Sequence, residues 1–172
     1  MQTTRIMLAA LAFIAVAPAQ DVTSNYDQNT NFSVYHTYKW VQIPGSLNVE
    51  SILSRQLTQA VDANLAMKGF TRVDTDNADL YVGFQVATKE QQQLDYYGSG
   101  GVRWGGGFGT ATTSTLTVGS FSLDMYDPKA KEMVWRGMAT KTIDEKASAE
   151  KRQNNIRNGV NKLLKNFPPK RK

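Results

Sequence analysis

The stretch LYVGFQV, residues 80–86, carries the clearest strand pattern in the chain, because its apolar residues recur at every second position. Leu80, Val82, Phe84 and Val86 would lie on one side of an extended strand, since successive side chains of a strand point to opposite faces. Strands of a doubly wound parallel sheet are apolar on both faces, whereas this one is apolar on a single face. The stretch therefore predicts a mostly antiparallel sheet with one buried face.

Two amphipathic helices are predicted to cover that face. In residues 48–68 the apolar positions recur at intervals of three and four, which is typical of a helix with one apolar side. Asn48 is placed to cap its start, and Gly69 to end it in the left-handed conformation. Residues 148–166 repeat the pattern, with Val160 among the apolar positions. The order of strands, helix, strands and helix predicts a single α+β domain with both helices packed on one face of the sheet.

The other strands are predicted on either side of these elements. Aromatic and β-branched residues between positions 22 and 41 predict one or two strands, and a final strand should run to about Ile143. Between them, residues 116–125 alternate as a strand does, but the phase changes at Gly119 and Ser120. We therefore expect a β-bulge at these two residues.

The first 19 residues have the pattern of a secretory signal peptide. Arg5 precedes an apolar run at residues 6–16, and Ala17-Pro18-Ala19 supplies a small-x-small cleavage pattern. The run is shorter than the roughly 20 residues of a transmembrane helix, so we expect no stable membrane insertion. The expected division is a signal peptide at residues 1–19, one α+β domain at 20–167 and a basic C-terminal tail at 168–172, with the mature protein periplasmic or secreted.

Cysteine and charge limit the possible chemistry. The chain contains no cysteine, which excludes thiol catalysis and zinc–cysteine sites, and an exported protein without disulfides fits a bacterial periplasm best. The net charge of +5 is concentrated at the C-terminus, where residues 146–172 hold nine basic side chains and one acidic side chain, Glu150. Such a segment is usually a solvated helix face and tail, although it could also contact phosphate-rich lipid or polymer. We expect no nucleic-acid partner.

The most biased stretch, YYGSGGVRWGGGFGTATTST at residues 96–115, does not fit a phosphate-binding loop. A dinucleotide fingerprint needs a third glycine where Arg103 stands, and no glycine-lysine-serine or glycine-lysine-threonine sequence is present. A threonine-rich strand follows the glycines, so no helix N-terminus is available to hold an anion. We therefore expect no cofactor.

The stretch is instead predicted to connect two strands and to carry exposed aromatic side chains. Such side chains are enriched where proteins contact their partners. The alternative is that the aromatic side chains fold back over an open edge of the sheet. The candidate partner-binding residues are Tyr96, Tyr97, Arg103, Trp104 and Phe108.

No other motif indicates catalysis or a metal site. The sequence DTDNADL, residues 74–80, lacks the glycine and the glutamate of a calcium loop and is predicted to be a turn. His36 is the only histidine, and the chain has no G-x-S-x-G sequence. We expect a protein that is not an enzyme and has no catalytic or metal-binding residues, although paired carboxylates cannot be located without the fold.

Several segments together resemble the bacterial envelope proteins of domain-of-unknown-function family 4136. They are NYDQNTNFSVYHTYKW, ADLYVGF after a helix ending in KGF, SLDMYDPKAKEMVWRG and a last helix ending in FPPK. The matching positions are Tyr26, Asp27, Phe32, Tyr35, Thr37, Tyr38, Trp40, Gly69, Asp79, Leu80, Asp124, Asp127, Trp135, Arg136, Gly137, Phe167 and Pro168.

The resemblance implies a fold and a compartment but no reaction. Many members carry a lipoprotein cysteine after the signal peptide, and this chain does not. The function expected is that of a non-enzymatic envelope protein that binds an unidentified protein or envelope polymer. The alternative is a small-ligand or glycan-binding protein in which Trp104, Tyr96 and Tyr97 stack on the ligand.

Overall fold

The structure is a computed structural model that describes residues 21–44, 46, 51–97 and 110–170. The expected signal peptide and the expected helix cap at Asn48 lie outside these residues. A 3₁₀ turn is present at Phe32–Val34. The helices and strands are β1 (Asp21–Tyr26), β2 (Thr37–Trp40), α1 (Ser51–Met67), β3 (Thr71–Arg72), β4 (Leu80–Tyr97), β5 (Thr110–Asp127), β6 (Glu132–Thr142) and α2 (Ala149–Leu163).

The strands form one six-stranded sheet in the order β1-β6-β5-β4-β2-β3. The pairs β1–β6, β6–β5 and β5–β4 are antiparallel, while β2 runs parallel to both β3 and β4. The parallel pairing arises because α1 connects β2 to β3 and returns the chain to the end of the sheet from which it left. The α+β prediction is confirmed, and the sheet is mixed, although most of its pairings are antiparallel.

Both helices cover the same face of this sheet, as their apolar patterns predicted. Leu80 and Val82 of β4 are fully buried there, and so are Leu123 and Met125 of β5. The helices contribute Leu57, Val61, Leu65, Val160, Leu163 and Leu164 to the same core. Within the described part of the chain, neither helix is long and apolar enough to span a membrane.

The ends of the helices follow the signals in the sequence. Gly69 has a φ of +86°, the left-handed conformation expected at the end of α1. Ser148 caps α2 by accepting a hydrogen bond of 3.2 Å from the backbone N–H of Lys151. Asn64, the polar residue on the apolar side of α1, is buried and donates a 2.7 Å hydrogen bond to Asn161 of α2. Its side chain therefore links the two helices.

The β-bulge expected at Gly119 and Ser120 is wrong. The β4–β5 pairing continues without interruption past both residues, and the irregularity with β6 lies between Met125 and Tyr126. Gly119 keeps its helix-facing position, where a β-carbon would lie 3.0 Å from the Cδ1 atom of Ile143. The apolar phase changes because Leu116 and Val118 lie on the opposite face of β5 from Phe121, with no shift of register.

Candidate functional site

The longest feature of the sheet is the antiparallel pair β4–β5. It is paired from Tyr81 and Tyr126 to Tyr97 and Thr110. The pairing of β6 with β5 ends at the 2.7 Å bond from the Ile143 N–H to the Thr117 carbonyl. We call residues 91–97 and 110–116, which lie past this bond, the ribbon. Its seven residue pairs, at about 3.3 Å per residue, extend roughly 23 Å beyond the last bond to β6.

Neither face of β4 is covered where the ribbon begins. Residues 87–92 of β4 are all exposed, as are Thr113 and Thr115 of β5. Since successive residues of a strand point to opposite faces, six exposed residues in a row show that both faces meet water. The helices therefore do not reach this part of β4.

The hydrogen-bond pattern shows which backbone groups of the ribbon point away from it. In an antiparallel pair, residues alternate between those that bond to one neighbouring strand and those that bond to the other. The Thr117 carbonyl accepts from Ile143 of β6, and the Val82 carbonyl accepts a 2.8 Å bond from the Val41 N–H beside β2. The same parity directs the backbone N–H and C=O groups of Thr115 and Gln92 outward. Within the described residues, β4 at Gln92 and β5 at Thr115 pair only with each other, and no further strand pairs with them on these outward sides.

Two of the predicted aromatic candidates belong to this ribbon. Tyr96 and Tyr97 lie in β4, paired with Ala111 and Thr110, so they are strand residues rather than loop residues. The other three candidates, Arg103, Trp104 and Phe108, lie outside the described residues.

Sequence reasoning missed that both edges of the ribbon lack a partner strand among the described residues. Most of its residues are polar, and its sequence lacks the apolar alternation that marked residues 80–86. The available signal was the run TATTST at residues 110–115, whose β-branched threonines favour a strand.

A cleft of about 490 Å³ lies on the helix-covered face, between the starts of the two helices and the sheet. Its floor includes Phe121 and Ala139 of the sheet, and its walls include Leu53 of α1 and Ile156 of α2. Most lining side chains are apolar, and Lys141 of β6 is the principal charged group on the floor. The cleft combines an apolar interior with a basic group.

The charges around Lys141 favour an anion. Burial lowers the pKa of the Lys141 ammonium group, and the nearby Lys151 and Lys162 lower it further, while Asp144 opposes these effects. Asp144, however, already forms a 2.8 Å ion pair with Lys151. Arg152, which also lines the cleft, donates to two backbone carbonyls rather than to a carboxylate. Positive charge at the cleft thus exceeds negative charge.

The carboxylates at the opposite end of the sheet have structural partners. Asp79 accepts hydrogen bonds of 3.0 Å from the His36 and Thr37 N–H groups and one of 2.9 Å from the Thr37 hydroxyl. Burial alone would raise the pKa of Asp79, but these hydrogen bonds outweigh it and hold the pKa below its ordinary value. Asp127 likewise accepts a 2.8 Å bond from the Tyr35 hydroxyl. These two carboxylates fix the segment that leads into β2.

An ion pair between Arg136 and Asp124 lies on the face of the sheet away from the helices. Arg136 donates to both oxygens of Asp124, at 2.6 and 2.7 Å, across the β5–β6 pair. Of the residues described, no group of three or more histidine or acidic side chains is arranged to hold a metal ion.

Comparison with solved structures finds the same fold at low sequence identity. A PDZ domain protein from Parabacteroides distasonis matches with a TM-score of 0.56 and 11% identity over 88% of this chain, and this chain spans 36% of that protein. The PelC dodecamer from Paraburkholderia phytofirmans matches with a TM-score of 0.52 and 11% identity over 85% of this chain and 95% of that one. No match was found among curated proteins. At 11% identity these likenesses concern the fold alone.

One family model matches nearly the whole chain. It covers residues 22–169, from β1 to the segment that follows α2. The matched region includes the Asp79 and Asp127 contacts and the Asp124–Arg136 pair. The chain therefore belongs to the family described as Domain of unknown function (DUF4136).

Proposed function

We propose that this chain is a non-enzymatic protein of the bacterial envelope, periplasmic or secreted, that binds a protein partner through the free edges of the ribbon. The observation that carries the proposal is that β4 and β5 continue as a two-stranded pair well beyond β6 and the buried core. An isolated two-stranded pair is marginally stable in water, so this extension adds little to the stability of the fold. We therefore assign this extension to the binding of a partner.

The composition of the ribbon suits pairing with another strand. Proteins usually protect an exposed strand edge with charges or proline. Residues 110–116 contain neither, and residues 91–97 contain one charge, Asp95. Thr115 and Gln92 therefore present outward backbone groups with few charged neighbours.

An extended peptide is the partner that such an edge fits best. Adding a strand satisfies outward N–H and C=O groups that repeat every second residue, roughly 6.6 Å apart. A polysaccharide lacks this regular alternation of donors and acceptors. The partner class is therefore a protein segment rather than an envelope polymer. Stacking of a glycan on Tyr96, Tyr97 and Trp104 is the alternative function.

The proposal also holds that the protein is not an enzyme and that it lies in the bacterial envelope. Asp79, Asp124 and Asp127 each hold a structural contact rather than pointing into the cleft. The signal-peptide pattern of residues 1–19 supports export.

Proline substitution at the edge tests the proposal. Gln92→Pro and Thr115→Pro each remove one outward N–H donor, a change that an edge strand tolerates. Gln92→Ala and Thr115→Ala are the matched controls, because they shorten the same side chains and keep the N–H. Affinity purification from envelope extract should recover a protein with the wild type and both alanine variants, and lose it with the proline variant on the binding edge.

Two results would argue against the proposal. Equal recovery with all four variants would show that the edges do not bind, and recovery of polysaccharide in place of protein would favour a polymer. Because PelC was solved as a dodecamer, a second copy of this chain must be separated from other partners. Sedimentation of the purified protein over a range of concentrations makes that distinction.

A further inference from the structure

The cleft beneath the helices is a second feature and does not depend on the ribbon. Its volume of about 490 Å³ lies within the range of roughly 300–1,000 Å³ typical of small-molecule sites. Two large apolar side chains at the cleft, Ile52 and Ile143, remain 54% and 40% exposed. Apolar surface thus continues from the interior of the cleft to water, and an apolar ligand would bury it.

The floor of the cleft also carries an uncompensated cation. Lys141 follows Ala139 at two-residue spacing on β6, so both side chains face the helices. Lys141 forms no hydrogen bond or ion pair with any residue of the described ranges. The nearby carboxylate, Asp144, is bound to Lys151. An anionic group beside Lys141 would meet a cation that has no competing partner.

We propose that the cleft binds a single-chain amphiphile with an anionic head group, with its hydrocarbon tail against Phe121, Ala139 and Ile156 and its head group beside Lys141. The ligand class is that of a free fatty-acid carboxylate. Apolar walls account for the tail, and the excess of positive charge accounts for the sign of the head group. Neither argument uses the ribbon, so the outcome of this proposal is independent of the proposed function.

Calorimetric titration with three probes of equal tail length tests the head group. Laurate is anionic, lauryl alcohol is uncharged and dodecyltrimethylammonium is cationic. Laurate should bind the wild type at one molecule per chain below its micelle concentration. The alcohol should bind about tenfold more weakly, the size expected when a hydrogen bond to a charged group is lost, and the cation should not bind.

Matched variants locate the site. Lys141→Met should weaken laurate about tenfold and leave lauryl alcohol unchanged. Lys89→Met is the control, because Lys89 is exposed on the opposite face of the sheet. Ala139→Phe should abolish binding of both probes by filling the cleft. If that variant does not fold by circular dichroism, Gln56→Phe, at a half-buried position that lines the cleft, replaces it.

Three results would overturn the proposal. They are no laurate binding by the wild type, equal laurate binding by the wild type and Lys141→Met, and unchanged binding by the cleft-filling variant. The wild type could also dimerise without binding laurate, and Ala139→Phe could abolish that dimerisation. This result would assign the cleft to a second copy of the chain and would contradict the proposal. Partner recovery through the ribbon should be the same in all of these variants, so failure of one proposal leaves the other standing.

Discussion

A β-carbon built on Gly137 of β6 would lie 2.7 Å from the Cδ1 atom of Leu163 in α2. The helix therefore contacts the sheet at a residue that has no side chain. Both positions are buried, and Gly137 is among the residues that carry the family resemblance. The close approach places α2 over β6 and so helps to define one wall of the cleft.

Gly137→Ala should destabilise the fold by about 1–3 kcal/mol, because the added methyl group would overlap the ring of Trp135 and the side chain of Leu163. Ser24→Ala is the control, since Ser24 is exposed on β1 directly opposite Gly137. Urea unfolding followed by circular dichroism measures both. A change in Gly137→Ala no larger than that of the control would show that neither Trp135 nor Leu163 packs closely on this position.

Leu163→Ala should lower the free energy of unfolding by about 2–5 kcal/mol, the usual loss for truncation of a buried leucine. Leu163 is 3% exposed, whereas its neighbour Lys162 faces water. Lys162→Ala should therefore change stability by less than about 0.5 kcal/mol. If Leu163→Ala also changed the free energy of unfolding by less than about 0.5 kcal/mol, α2 would not be docked on the sheet.

Asp79 should make the fold sensitive to acid. Because its folded-state pKa is lower than the unfolded value, its stabilisation is present above the unfolded pKa of about 3.8 and is lost as pH falls through the lower folded pKa. Asp79→Asn should cost about 1–3 kcal/mol at neutral pH, and its difference from the wild type should shrink as the pH falls below about 4. Unfolding curves at several pH values measure the difference.

Asp74→Asn is the control for this prediction, since the Asp74 side chain is 94% exposed. Its difference from the wild type should be small at every pH. A constant difference between Asp79→Asn and the wild type down to pH 2 would show that the carboxylate of Asp79 does not stabilise the fold through its charge.

The glycine-rich stretch should be dispensable for folding. Tyr97 and Thr110 are paired, so an Asn-Gly turn in place of residues 98–109 can join the strands directly as a tight hairpin. Shortening a loop changes chain entropy only slightly, and the melting temperature should shift by a few degrees at most. A melting temperature many degrees lower would mean that Trp104 and Phe108 contribute to the core.

The sequence predicted the elements that bury apolar side chains. Alternation at residues 80–86 and helical spacing through Leu57 and Val160 each follow from one buried face, so local pattern was sufficient. Gly69 was identified for the same reason, because a helix end with a φ of +86° favours glycine.

Features that depend on distant contacts were not predicted. Asp79 was assigned to a turn, but its hydrogen-bond partner Thr37 lies 42 residues away in sequence, so no local pattern reports the contact. The parallel pairing of β2 and the cleft depend on where the helices sit on the sheet. At Gly119 a change of apolar phase predicted a bulge, whereas the register is continuous and Leu116 and Val118 lie on the opposite face of β5 from Phe121.

Site-specific photo-crosslinking in intact envelopes tests most directly whether the ribbon binds a protein strand. A photoreactive residue at Thr113, exposed on the ribbon, should form an adduct with a protein, and one at Arg157, exposed on α2, should not. The Thr113 adduct should persist with Thr115→Ala and disappear with Thr115→Pro if the β5 edge binds. A parallel set uses a photoreactive residue at Gln91 with the Gln92 variants for the β4 edge. Adducts of equal yield at Thr113 and Arg157, or adducts at both edges that survive their proline substitutions, would contradict the account.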